Sequence, residues 1–176
     1  MILISRIETP IGEMTAGATS DGICFLEFGY RCGNLSGYGD LSGESGTDLK
    51  YGSNRHIKVL KKQLKEYFTG KRKEFNLKLV LNGTGFQERV WNELRKIPYG
   101  ETISYSEQAN SLNSPGSVRA VAHANGLNKI AIIIPCHRVI GAYGDLTGYG
   151  GGLDKKRWLI DHEKKYSGKP VEGTLF

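Results

Sequence analysis

Hydrophobic and polar positions change their period several times along this chain, and each change marks an element. Ile2 and Ile4 lie two apart ahead of polar Ser5 and Arg6, the period of two expected of a half-buried strand. Pro10 to Gly12 breaks the pattern, and Asp21-Gly22 is a hairpin-turn dipeptide ahead of the apolar run from Ile23 to Phe28. A small antiparallel sheet is the expectation. Residues 29–54 are rich in Gly, Ser, Asp and Tyr without a helical period, so they read as a long loop. Ile57, Leu60, Leu64, Tyr67 and Phe68 then recur at helical spacing from His56 onward, with lysines on the other face and Gly70 as a stop. Phe75, Leu77, Leu79 and Leu81 alternate again and predict a strand that ends at Asn82-Gly83. A small N-terminal domain over residues 1–83 follows.

The second half, 84–176, reads as mostly helical. Thr84 followed by Gln87 has the spacing of a capping box, and Phe86, Val90, Trp91, Leu94 and Ile97 form the apolar side of the helix it opens. Pro98 and Gly100 end that helix. A short helix over 104–112 comes next, then a turn, then Ser114-Pro115 as cap and first residue of a helix of small residues through Asn125. Two short helices around a tight turn predict a helix-turn-helix. The apolar run Ile130 to Ile134 leads into Pro135-Cys136-His137-Arg138-Val139, and a glycine-rich stretch precedes a last helix from about Leu153 to Lys165. The fold class is α+β.

Composition adds a partner class and removes others. The chain has 176 residues, a formal net charge of +6 and a pI near 9.2, which points to an anionic partner without specifying one. Cys24, Cys32 and Cys136 are odd in number and lack CxxC spacing, so neither a disulfide framework nor a structural zinc motif is expected. No metal and no cofactor are predicted. The N-terminus has no signal-peptide character and no apolar run is long enough to cross a bilayer. The expectation is a soluble, cytoplasmic monomer, with access to the nucleus if the cell has one.

Cys136 is the candidate for chemistry. It follows an apolar run, stands between a proline and a histidine, and is followed by glycines that let a ligand approach the backbone. On residue type alone a lone cysteine is more often a small core residue than a nucleophile, and a histidine such as His137 more often a hydrogen-bonded structural group than a base. The glycines at 148–152 lack the Lys-Ser or Lys-Thr that would make a phosphate loop.

The wording around Cys136 carries more. FQERVW, PYGETISY, SVRAVAHANGLN, IIIPCHRVIG and GYGGGLDKKRWLIDHE, in this order and spacing across residues 84–165, closely resemble the O6-alkylguanine-DNA alkyltransferases. The N-terminal part resembles that family's ribonuclease-H-like small domain in its TPIG turn and strand pattern. The resemblance implies a winged-helix-like C-terminal domain and irreversible, single-use transfer of methyl or larger alkyl groups from O6-alkylguanine to Cys136. O4-alkylthymine is the further substrate the family suggests.

It also implies roles, residue by residue. Cys136 accepts the alkyl group, His137 works through a water, and Glu163 orients His137. Tyr105 assists the leaving base, and Asn128 is a hinge leading to the active-site strand. Arg119 fills the stack left by a flipped base in the minor groove of double-stranded DNA, flanked by the small residues Ser117, Ala120 and Ala122. Val139, Tyr149, Gly150 and Lys156 belong to the base pocket, Lys156 being read as a surface or supporting charge. The chain departs from the family at Gly150, where many relatives have serine, at Lys129, where proline is common, and at His123. Rival readings are a non-catalytic recogniser of damaged bases, whose known relatives carry tryptophan at the acceptor position, and a Cys-His hydrolase. The second leaves Arg119 and the helix-turn-helix unexplained.

Overall fold

A computed structural model of the chain describes residues 1–29 and 48–169, so most of the stretch read as a long loop, together with Cys32, lies outside the described residues. The N-terminal part opens with β1 (Ile2–Thr9), β2 (Gly12–Ala18) and β3 (Ile23–Phe28), an antiparallel meander. The predicted turns are where the dipeptides placed them: the Thr19 amide donates to the Gly22 carbonyl at 3.0 Å. One correction concerns the loop assignment, because Leu49–Tyr51 forms β4, parallel to β1, and gives a sheet of order β3-β2-β1-β4. Its three residues are too few to show a period.

Helix α1 (Arg55–Phe68) lies on this sheet. Asn54 caps it, its side chain accepting from the His56 and Ile57 amides at 3.0 and 3.1 Å, so the last residue of the segment assigned to loop is the helix cap. Ile57, Leu60, Leu64 and Tyr67 are buried on its inner face. The strand expected over 75–81 is a second correction. That segment is extended but pairs only around Leu79, where Ile23 donates to Lys78 at 2.8 Å and accepts from Val80 at 2.8 Å. Its alternation is real, since Leu77, Leu79 and Leu81 rest on the core, but only one rung of ladder forms.

The C-terminal part begins at α2 (Gly85–Leu94), where the capping box of Thr84 and Gln87 is formed in both directions. A second capping box, Ser104 with Glu107, opens α3 (Tyr105–Ser111). The following turn departs from expectation: Pro115–Ser117 is a 3-10 turn, Ser114 makes no side-chain cap, and α4 (Val118–Gly126) starts later. The helix-turn-helix of α3 and α4 is held by a buried amide pair, Gln108 Nε2 to Asn125 Oδ1 at 3.0 Å and Asn125 Nδ2 to Gln108 Oε1 at 2.7 Å. Trp91 Nε1 donates to the Ala124 carbonyl at 2.8 Å and ties α4 back to α2. A two-stranded parallel ladder, β5 (Ile103–Ser104) with β6 (Val139–Ile140), and α5 (Leu153–Tyr166) complete the described chain.

The two parts share one core. A single cluster of buried side chains runs from Met14, Leu26 and Leu60 to Val90, Leu94, Val121, Ile132 and Leu159. The free edge of β3 joins them as well, because the Leu26 amide donates to Lys129 at 2.8 Å and the Ala131 amide donates to Leu26 at 2.9 Å. No described helix is long and apolar enough to cross a membrane.

Candidate active site

The segment ahead of Cys136 is not the strand implied by the resemblance. After the bridge at Ile130 the chain turns tightly through 131–134, and buried Ile132 sits at a φ of 71°. A β-branched residue in the left-handed region costs about 1–3 kcal/mol, which the surrounding core must offset. Asn128 holds the turn: its Oδ1 accepts from the Ile130 amide at 2.9 Å, and its Nδ2 donates to the Ile134 carbonyl at 2.8 Å and to Cys136 Sγ at 3.3 Å. The residue expected as a hinge therefore also touches the thiol.

Cys136 begins a 3-10 turn, Cys136–Arg138, and its side chain lies in the wall of a cavity of about 650 Å³. That volume is typical of small-molecule pockets. Burial pushes the Cys136 thiol up, while the Asn128 amide and the charge of Lys156 pull it down. The resting sulfur is thus a thiol with thiolate-favouring neighbours.

The next residue, His137, is completely buried. Its Nε2 lies 2.7 Å from Glu163 Oε1, and its Nδ1 is buried without a partner among the described residues. Burial holds the His137 imidazole below its ordinary value, with the charges of Arg138 and Lys156 adding to the effect and Glu163 opposing it. Burial alone would raise the Glu163 carboxyl. His137 and Arg138 outweigh it and keep Glu163 well below the usual carboxylate range. Arg138 meets the carboxylate with two nitrogens, Nε at 2.8 Å and Nη2 at 3.0 Å, and its Nη1 donates to the Ile97 carbonyl at 2.6 Å. The Gly100 amide and the Tyr67 hydroxyl donate to Glu163 at 3.2 and 2.8 Å. An ionised carboxylate only accepts, so His137 must donate from Nε2 and keep a lone pair on Nδ1.

Sequence reasoning missed Arg138, Gly100 and Tyr67. Arg138 stands inside the quoted motif, and a buried carboxylate needs a cation. Nothing in the pattern of α1 separates Tyr67 from an ordinary core aromatic.

The other predicted positions divide. Tyr105 lines the cavity, its hydroxyl donating to the Thr147 carbonyl at 3.0 Å, and burial pushes the phenol up. Lys156 is fully buried, which corrects the surface half of its reading and leaves that of a supporting charge. Its ammonium donates to Thr147 at 2.9 Å and lies over the Tyr105 ring, and burial holds it below its ordinary value. Tyr149 packs edge-on against Phe28 from β3 at 6.0 Å, and its hydroxyl is buried without a partner among the described residues. Gly150 is exposed on the cavity loop, with nothing near the position a Cβ would take. Arg119 and Ala122 on α4 line the cavity. Ser117 and Ala120 flank Arg119 but are not part of the lining, His123 faces solvent, and Val139 is buried in the ladder with Ile103. No cluster of potential metal ligands occurs among the described residues.

A reachable thiol backed by a histidine-carboxylate-arginine cluster, in a cavity whose rim is a helix-turn-helix carrying an exposed arginine, defines a DNA-binding protein with cysteine chemistry. Sequence comparison narrows the class. The family model for the 6-O-methylguanine DNA methyltransferase DNA binding domain matches residues 85–165, and that for its ribonuclease-like domain matches residues 2–81. A methylated-DNA--protein-cysteine methyltransferase of Mycobacterium tuberculosis is 45% identical over 179 residues, covering 100% of this chain and 99% of the relative. One from Methanosarcina acetivorans is 40% identical over 159 residues, covering 89% and 94%. Among solved structures, the M. tuberculosis O6-methylguanine methyltransferase superimposes with a TM-score of 0.82 at 41% identity, covering 100% of this chain and 99% of that one. M. tuberculosis OGT in complex with DNA gives 0.79 at 43% identity, covering 93% and 94%. The chain belongs to the 6-O-methylguanine DNA methyltransferase family.

Proposed function

We propose that Cys136 is the alkyl acceptor of this protein, which repairs DNA by direct reversal as a methylated-DNA–protein-cysteine methyltransferase. The observation that carries the assignment is a cysteine in the cavity wall followed in the chain by a buried histidine whose Nδ1 has no partner among the described residues and whose Nε2 is held by an ionised carboxylate. Side chains of adjacent residues do not readily meet, so the Cys136 proton reaches His137 Nδ1 through one water. The S–C bond forms as the C–O6 bond of the alkylated guanine breaks. Tyr105 and the loop at Tyr149 and Gly150 face the leaving base. The proton lost by sulfur balances the one the guanine gains, leaving a thioether and an unmodified base.

Deprotonation is a modest part of the rate. Lowering a thiol pKa by about 2 units raises the thiolate fraction roughly 25-fold but lowers nucleophilicity about 10-fold at a Brønsted slope near 0.5. In this site burial works the other way at rest. In-line placement of the alkyl carbon and stabilisation of the departing base therefore supply the larger share. A thioether has no good leaving group, so each molecule acts once.

The target base leaves the duplex before it enters the cavity, and Arg119, exposed at the cavity rim, takes its place in the stack from the minor groove. Ser117, Ala120 and Ala122 keep the surface around Arg119 low enough for close approach. We read residues 1–83 as the small domain and 84–176 as the DNA-binding and acceptor domain of a monomer that works in the cytoplasm. Larger alkyl groups and O4-alkylthymine are within the proposed substrate range.

Incubation with duplex carrying O6-methylguanine, followed by trypsin and mass spectrometry, is expected to place one methyl group on the peptide from Ile130 to Arg138. A methyl group on any other peptide, or release of free methanol with unmodified protein, rejects the assignment.

A further inference from the structure

The small domain supplies a side chain to the relay. Tyr67, in the last turn of α1, has no exposed surface, and its hydroxyl donates to Glu163 Oε1 at 2.8 Å. The same oxygen accepts from His137 Nε2 at 2.7 Å and from Arg138 Nη2 at 3.0 Å. Three donors thus divide the electron density of one carboxylate oxygen, and what Tyr67 takes is withheld from His137. The ring packs on Phe75, Tyr99 and His162, contacts that phenylalanine would make equally well. Only the hydroxyl needs Glu163.

We propose that Tyr67 is a positioning residue of the transfer reaction, its hydroxyl bond to Glu163 setting how strongly His137 draws the proton of Cys136. The inference rests on the acceptor and relay reading above. The charged groups acting on His137 are Glu163 and Lys156 from α5 and Arg138 from its own turn; those acting on Tyr67 are Glu163, Arg138 and Tyr99. Removing the Tyr67 hydroxyl leaves all of these in place and frees Glu163 Oε1 to stabilise a protonated His137. His137 then holds its proton to higher pH and is less available as a base on the acid side.

The test is the single-turnover rate of methyl transfer from O6-methylguanine duplex as a function of pH, for the full chain and for Tyr67→Phe. The acid limb of the Tyr67→Phe profile is expected to move to higher pH by about 0.5–1 unit, a rate about 3- to 10-fold lower below the limb, with DNA affinity unchanged. A profile that superimposes on the parent, or one lowered equally at every pH, overturns the inference. If Tyr67→Phe does not fold, 3-fluorotyrosine placed at position 67 retains the bond with a more acidic phenol and must move the limb to lower pH. No movement, or movement upward, is equally fatal. Glu163→Gln and His137→Gln are measured alongside. If neither moves the limb, the relay reading itself fails; if they move it and Tyr67→Phe does not, only the role of Tyr67 is lost.

Discussion

His137 and Glu163 carry opposite charges in their ionised forms, yet in this site they push stability the same way with pH. Folding holds the His137 imidazole below its ordinary value of 6.5, so on acidification the unfolded chain takes up a proton first. That contribution to stability is complete above pH 6.5 and is lost as pH falls toward the lowered folded value. Glu163 is held below its ordinary 4.5, and its contribution is likewise present above that pH and lost beneath it. Calorimetric melting between pH 7.5 and 4 should therefore show the midpoint falling from about pH 6.5 downward. His137→Gln should flatten the first part of the fall; a midpoint independent of pH between 7 and 5 contradicts the assignment of a neutral buried His137. Cys136 and Lys156 teach a related lesson at the same scale. The residue types were legible as chemistry, but the direction in which each is held depends on burial, which neighbours in sequence do not specify.

Among the elements, the helix-turn-helix depends on a polar contact in an apolar setting. Gln108 of α3 and Asn125 of α4 satisfy each other through two hydrogen bonds and are both buried. Truncating either one strands the other, at a cost of about 1–3 kcal/mol. Asn125→Ala should lower the melting midpoint by about 2–4 °C per kcal/mol for a chain of this length, measured by circular dichroism. The double variant Gln108→Ala/Asn125→Ala should lose less than the sum of the two single losses, since no orphan remains. Equal and additive losses would mean that the pair does not interact. The capping box at Thr84 and Gln87 was readable because its signal is local. The Ser114 cap is not formed, and Pro115–Ser117 winds as a 3-10 turn in contact with α3.

For the molecule as a whole, two family domains share a core cluster, an edge-strand seam and the Tyr67 bond. The 129–131 segment that covers β3 is also the segment that Asn128 anchors ahead of Cys136. Opening one part exposes the other. Calorimetry is expected to give a single unfolding transition, with the Leu26 and Ala131 amides exchanging hydrogen at the same slow rate. Two resolved transitions, or early exchange at Ala131 alone, would show the parts to be independent.

By itself the sequence determined what depends on neighbours along the chain. The β1 to β3 meander follows from alternation and a hairpin dipeptide, α1 and α2 from helical spacing and stop signals, and the family, with Cys136 as the proposed acceptor, from a run of motifs. The tertiary structure decided what depends on distant partners. Leu49–Tyr51 became a strand because β1 offered an open edge, while 75–81 alternates like a strand yet forms one rung at Ile23. Lys156 went inside because Thr147 accepts its ammonium and the Tyr105 ring faces it. Tyr67 and Arg138 converge on Glu163 from α1 and from the turn after Cys136, and no period or spacing announces that meeting. Local patterns record the cost of backbone conformation and the direction of burial. The closing of a buried carboxylate by groups far apart in the chain is recorded only in the fold.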